Sequence, residues 1–250
     1  MIDSHAHLMM LKEPASAVIT RAKAAGLTGI VNVAVDLESA KQSQSVAKEF
    51  QAVYATIGIH PLYAEKFHQL QALIDFAKTA PDDFVAVGEA GLDYKYGKEN
   101  RDDQLKVLEG QYQLAQNLDK SIILHNRMAD ADIIEMMNAF PDVPAVVHCF
   151  ASDWAFINAI HHDNFCISFN GMITIRLNAK IQEVIQRFPL ERMMLETDCP
   201  YLTPKKYGQQ ANEPAFMAEV VPVIADIKGC SQKDVIQATT QKAKEFFKIG

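Results

Sequence analysis

Short runs of β-branched and aliphatic residues alternate with longer amphipathic stretches almost without a break along this chain. Apolar runs over residues 1–5, 29–33, 53–59, 84–89, 122–125, 145–148, 165–169 and 193–196 predict strands. Between them, residues 15–25, 37–50, 70–80, 103–118, 129–139, 153–161 and 178–188 carry helical spacing, as in Leu105, Leu108, Tyr112 and Ala115. Two further helices are predicted near 215–227 and 232–247, with Ser231 placed to cap the second. About eight strands alternating with about eight helices over ~250 residues is the order and size of a (β/α)8 TIM barrel. An open doubly wound sheet has the same alternation, because strand order cannot be read from one sequence. No Pro/Gly/Ser-rich linker or shift of composition interrupts the pattern, so a single domain over residues 1–250 is expected.

Composition narrows the class. Hydrophobic residues make up 49% and charged residues 22% of the chain, which is ordinary for a globular protein and excludes extended disorder. The first residues lack a basic segment followed by an apolar run, and no apolar stretch approaches the ~20 residues needed to span a bilayer. Neither a secretory signal nor a membrane partner is therefore expected. The four cysteines, Cys149, Cys166, Cys199 and Cys230, form no CxxC pair and read as reduced thiols, consistent with a cytoplasmic location. Net charge is −7 and no polybasic run is present. That argues against broad electrostatic capture of duplex nucleic acid, though not against local grip on a few phosphates.

The chemistry begins at His5 and His7. Residues i and i+2 of a strand face the same side, so the two imidazoles can converge on one point. Alone, such a pair also fits ordinary strand histidines. Further candidates, however, fall at matching places. Glu89 lies at the end of Val85-Ala-Val-Gly-Glu89, His125 at the end of Ile122-Ile-Leu-His125, His148 at the end of Ala145-Val-Val-His148, and Asp198 just past Met194-Leu-Glu-Thr. In a barrel, catalytic groups gather where strands end and loops begin. Six nitrogen- and oxygen-bearing groups overload one tetrahedral ion and suit two divalent metals bridged by a carboxylate.

Asp3-Ser-His-Ala-His7, Gly58-Ile-His-Pro61, Gly88-Glu-Ala-Gly-Leu-Asp-Tyr94, Leu124-His-Asn-Arg127, Val147-His-Cys-Phe150, Leu195-Glu-Thr-Asp-Cys-Pro-Tyr-Leu-Thr-Pro204 and Asn212-Glu-Pro214 occur in that order. In these blocks the chain resembles the TatD family of metal-dependent deoxyribonucleases, over essentially its whole length. The resemblance implies a TIM-type barrel, two divalent ions (Mg²⁺, Mn²⁺ or Zn²⁺) and hydrolysis of phosphodiester bonds, typically 3′-to-5′ at single-stranded DNA ends. It maps the metal ligands to His5, His7, Glu89, His125, His148 and Asp198. The chain departs from the family pattern at Gln209-Gln-Ala211, where an arginine often precedes Asn212, and at Ala151-Ser152, where Ser-Gly is usual. Both changes bear on substrate choice.

In the expected scheme Glu89 bridges the ions, and Asp198 is a ligand that also takes the proton of the attacking water. His60 is expected on the substrate side, with a capping role as its alternative. Arg127 is placed to fork onto a phosphate, or else to pair with a carboxylate such as Asp93. Asp3 and Glu196 share the strand face of His5 and Asp198 and are expected to support the ligands one layer deeper. A small-molecule hydrolase acting as amidase, lactonase or phosphoesterase is the alternative activity, since one barrel hosts many chemistries. A small phosphoester is then the partner instead of a DNA end, and no obligate protein partner is evident.

Overall fold

The computed structural model describes residues 1–250 except the side chain of Lys66. Its strands are β1 (Ile2–Ala6), β2 (Gly29–Asn32), β3 (Val53–Ile57), β4 (Phe84–Asp93), β5 (Ser121–Arg127), β6 (Ala145–Val147), β7 (Phe165–Phe169) and β8 (Met193–Leu195). They follow one another in sequence order in one sheet, as the (β/α)8 class requires. The intervening helices are α1 (Ala15–Ala24), α2 (Leu37–Glu49), α3 (Leu70–Thr79), α4 (Arg101–Leu118), α5 (Asp130–Ala139), α6 (Trp154–Ala159), α7 (Ala179–Arg187), α8 (Val220–Lys228) and α9 (Gln232–Phe247). Parallel strands covered on both faces read as continuous apolar runs, which is why Ile122-Ile-Leu, Ala145-Val-Val and Met193-Met-Leu show no alternation.

Two compact units compose the fold. The first comprises Met1–Asn32, Cys149–Trp154 and Ile167–Gly250. In it β1 pairs in parallel with β2 and β7 with β8. A parallel bridge between Ala6 and Cys199 ties β1 to the segment that follows β8. Phe169, Phe188 and Phe247 are fully buried in this unit. Ser231 and Asp234 form a capping box at the start of α9, as the sequence predicts.

The second unit comprises Val33–His148 and Ala155–Cys166. Here β3, β4, β5 and β6 pair in parallel in that order. The inner face of α4 contributes Leu108, Tyr112 and Leu114 to its core, and Tyr112 stacks on Phe140 at 4.9 Å.

Three elements depart from the sequence expectation. Glu89 does not end β4: the strand continues to Asp93, with a register shift between Val87 and Ala90, because Ala90–Asp93 go on pairing with Leu124–Arg127. His125 likewise lies two residues inside β5. The helix expected over 215–227 is instead a 3-10 segment, Pro214–Glu219, followed by α8. Pro222 has no N–H to give, so the α-helix begins where that proline falls in its first turn.

Candidate metal centre

In the first unit, His5 and His7 converge as their i, i+2 spacing predicts. Their Nε2 atoms face each other at 3.2 Å. Asp198 Oδ1 stands 3.7 Å from His5 Nε2 and 3.5 Å from His7 Nε2. Both imidazoles are buried, while the Asp198 side chain keeps 15% of its surface open. The segment carrying Asp198 is held from several directions. Its N–H donates to the His5 carbonyl at 2.8 Å, and its φ of 57° puts it in the left-handed region. The buried Asn212 amide donates to the carbonyls of Thr197 at 2.8 Å and Tyr201 at 2.7 Å, clamping both sides of the turn. This gives the Asn212-Glu-Pro block a structural task that sequence alone did not reveal. Glu213 anchors it further through bidentate contact with Arg21.

Asp3 accepts from the His5 N–H, the Thr197 N–H and the Thr197 hydroxyl. It therefore grips the backbone beneath two candidate ligands, not an imidazole ring. Burial pushes its carboxyl up to about 8, against the downward pull of those donors. Glu196, also fully buried, accepts from the Cys149 N–H, the Ser168 hydroxyl and the Asn170 amide. The first of these holds Cys149, directly after His148, at φ 48°.

In the second unit three imidazoles surround one carboxylate oxygen. Glu89 Oε1 lies 2.9 Å from His148 Nε2, 3.0 Å from His125 Nδ1 and 3.4 Å from His60 Nε2. His60, Glu89 and His125 offer atoms close enough to share an ion. The backbone fixes Glu89 tightly: its N–H donates to the Ala34 carbonyl at 2.8 Å, and the Thr56 hydroxyl donates to the Gly88 carbonyl. β4 also approaches β5 very closely. A Cβ on Gly91, at φ 136°, would lie 2.0 Å from the His125 carbonyl oxygen. Only glycine allows that approach.

His60 caps the turn after β3 and also faces Glu89. Its Nδ1 accepts from the Leu62 N–H at 3.1 Å, so the neutral ring carries its proton on Nε2, the atom aimed at Glu89. That makes it a hydrogen-bond donor towards the site. Arg127 lies exposed, and among the described residues it forms no ion pair. The carboxylate expected as its partner, Asp93, turns instead to His125, with Oδ2 at 3.2 Å from Nε2. Sequence reading did not place Asp93 in the site, although it stands in the Gly88–Tyr94 block. Burial raises the Asp93 carboxyl, but donors from His125, Tyr96 and Lys95 outweigh it and hold the group below the usual carboxylate range. Burial likewise lowers the His125 imidazole, and Asp93 and Glu89 overcome that to raise it.

Imidazole nitrogens with carboxylate oxygens form a donor set suited to Zn²⁺ or Mn²⁺, and each unit contributes such a set. The residues present thus fit divalent metal.

Comparison with known proteins agrees with this chemistry. Residues 2–248 match the family model described as TatD related DNase. The chain is 32% identical to the uncharacterized metal-dependent hydrolase YabD of Bacillus subtilis, with all of both chains aligned. It is 27% identical to the 3'-5' ssDNA/RNA exonuclease TatD of Citrobacter koseri, covering 93% of this chain and 92% of that one. The solved structure of YJJV, a TatD homologue from Escherichia coli K12, superposes with a TM-score of 0.93 at 27% identity, covering 100% of this chain and 98% of the other.

Proposed function

Because this chain belongs to the TatD-related DNase family and is a metal-dependent hydrolase of that family, we propose that it removes nucleotides from the 3′ end of single-stranded DNA. The observation that carries the metal part of the reading is the group of three imidazole nitrogens that face the buried Glu89 Oε1 at 2.9–3.4 Å. We assign His5, His7 and Asp198 in the first unit, and Glu89, His125 and His148 in the second, as the residues that would hold divalent metal. Such ions, when bound, acidify a coordinated water and neutralise phosphate charge.

The protein's own groups do the rest. Asp198 is the ligand carboxylate with solvent access, so it is assigned to accept the proton of the attacking water. His60 donates from Nε2 to a phosphate oxygen, its tautomer set by the Leu62 N–H. The exposed Arg127 guanidinium, free of ion pairs among the described residues, forks onto a second phosphate. Cys199 is fully buried and its thiol is pushed well up by burial, which leaves it protonated and out of the chemistry.

End-labelled single-stranded oligonucleotides test this directly. Stepwise release of nucleotides from the 3′ end is expected with Mg²⁺, Mn²⁺ or Zn²⁺, and none in excess chelator. Full activity in chelator would sink the metal scheme. Turnover of lactones or nitrophenyl phosphoesters, with oligonucleotides left intact, would instead establish the small-molecule alternative.

A further inference from the structure

We propose that Asp93 is a two-sided positioning residue: one carboxylate oxygen sets the tautomer of the metal-ligating His125, and the other holds the turn that meets the substrate strand. The second half rests on the nuclease reading above.

Asp93 is buried at the last position of β4, and its oxygens face different groups. Oδ2 lies 3.2 Å from His125 Nε2. A carboxylate only accepts, so Asp93 keeps the proton on Nε2, and Nδ1 is the nitrogen that would give up its proton to a metal. Nδ1 is the atom that faces Glu89 Oε1 at 3.0 Å. Oδ1 accepts from the N–H groups of Lys95 and Tyr96, both at 2.9 Å. That fixes a turn whose side chains are exposed, with Lys95 Nζ 4.8 Å from the centre of the Tyr96 ring. Tyr96 shows 62% of its surface, and the charge of Arg127 is close enough to act on its hydroxyl. An open aromatic face beside two cations is what a stacked base with flanking phosphates requires.

The arrangement is braced from behind. Gln104, buried on α4, accepts from the Asp93 N–H at 2.8 Å and donates to the carbonyls of Asp93 at 3.2 Å and Gly97 at 2.7 Å. The Tyr94 N–H donates to the Arg127 carbonyl, so the turn is also tied to the end of β5. Asp93 thus has no slack with which to serve one partner and release the other.

Asp93→Asn and Asp93→Ala separate the two halves. Asparagine keeps an oxygen for the Lys95 and Tyr96 N–H groups but can present its NH₂ to His125, which favours a proton on Nδ1 and blocks the ligand atom. Alanine removes both contacts. Titration of metal-stripped protein with Mn²⁺ is expected to show affinity falling about 10–100-fold in both variants. Nitrogen NMR of Zn²⁺-loaded protein is expected to place the His125 proton on Nε2 in the parent and to show it lost from that nitrogen in the asparagine variant. At saturating Mn²⁺, only alanine should raise KM for a single-stranded oligonucleotide severalfold. Mn²⁺ affinity within twofold of the parent, or an unchanged tautomer in a variant of native circular dichroism, overturns the metal half. Equal KM for the two variants overturns the turn half. The titration and the NMR involve no nucleic acid, so a parent protein that binds Mn²⁺ yet spares oligonucleotides would refute only the nuclease reading.

Discussion

Single positions in this protein carry obligations set by backbone approach more than by side-chain chemistry. Gly91 is the sharpest case. Any β-carbon there would collide with the His125 carbonyl, and its φ of 136° lies where L-residues are strained. Gly91→Ala therefore pushes β4 away from β5 next to two candidate ligands. A loss of about 3–5 kcal/mol is expected, in the range reserved for overpacking combined with backbone strain. Chemical denaturation checks it; a midpoint unchanged from the parent would contradict the close approach. Asn212 shows the same logic from the other side, since one buried amide holds two carbonyls that flank Asp198. His60 was readable as a cap from the Pro61 that follows it, and as a site residue from its strand-end position. The structure shows the cap on Nδ1 and, through the tautomer that the cap fixes, a protonated Nε2 turned towards Glu89.

At the scale of elements, the helix and strand order was legible because each run of the chain has one dominant period. The misread ends have local causes. β4 outlasts its apolar run because β5 keeps pairing with it, a non-local effect that periodicity does not encode. Around α4 and α5, Arg101 grips Asp132 through Nε and Nη2, both at 2.9 Å, and the Tyr94 hydroxyl donates to the same carboxylate. The Arg101 guanidinium holds the Asp132 carboxyl below its unfolded value of 3.8. A depressed carboxylate stabilises the fold above that value, and its contribution is lost as pH falls through the lower, folded one. Asp132→Asn is thus expected to lower Tm at neutral pH by up to about 2–4 °C, since Arg101 is half exposed and solvent screens the pair. The gap between variant and parent should close as pH drops below 3.8. Calorimetry across pH decides this: a difference that persists at low pH would assign it to packing instead of charge.

At the scale of the molecule, neither compact unit is one continuous segment; the chain passes between them four times, at 32/33, 148/149, 154/155 and 166/167. Units so interleaved along the chain are expected to unfold together. Metal bound only by the folded state adds stability by mass action. For chelator-stripped protein, calorimetry is expected to show a single transition, raised by about 5–10 °C when Mn²⁺ is present at 100 times its dissociation constant. Two separate transitions, or no upward shift, would refute one or the other half of that expectation. Among the described residues no helix is long and apolar enough to cross a membrane, in line with the short apolar runs of the sequence. The sequence by itself determined the alternation of strands and helices, the family, and which histidines and carboxylates are candidate ligands, because periodicity and residue chemistry are local properties. Only the tertiary structure decided that Asp93 turns to His125 and not to Arg127, that Asp3 grips backbone, and that Asn212 clamps the Asp198 turn. Those outcomes depend on which donor lies within about 3 Å once distant strands are paired, and no spacing along the chain encodes that distance.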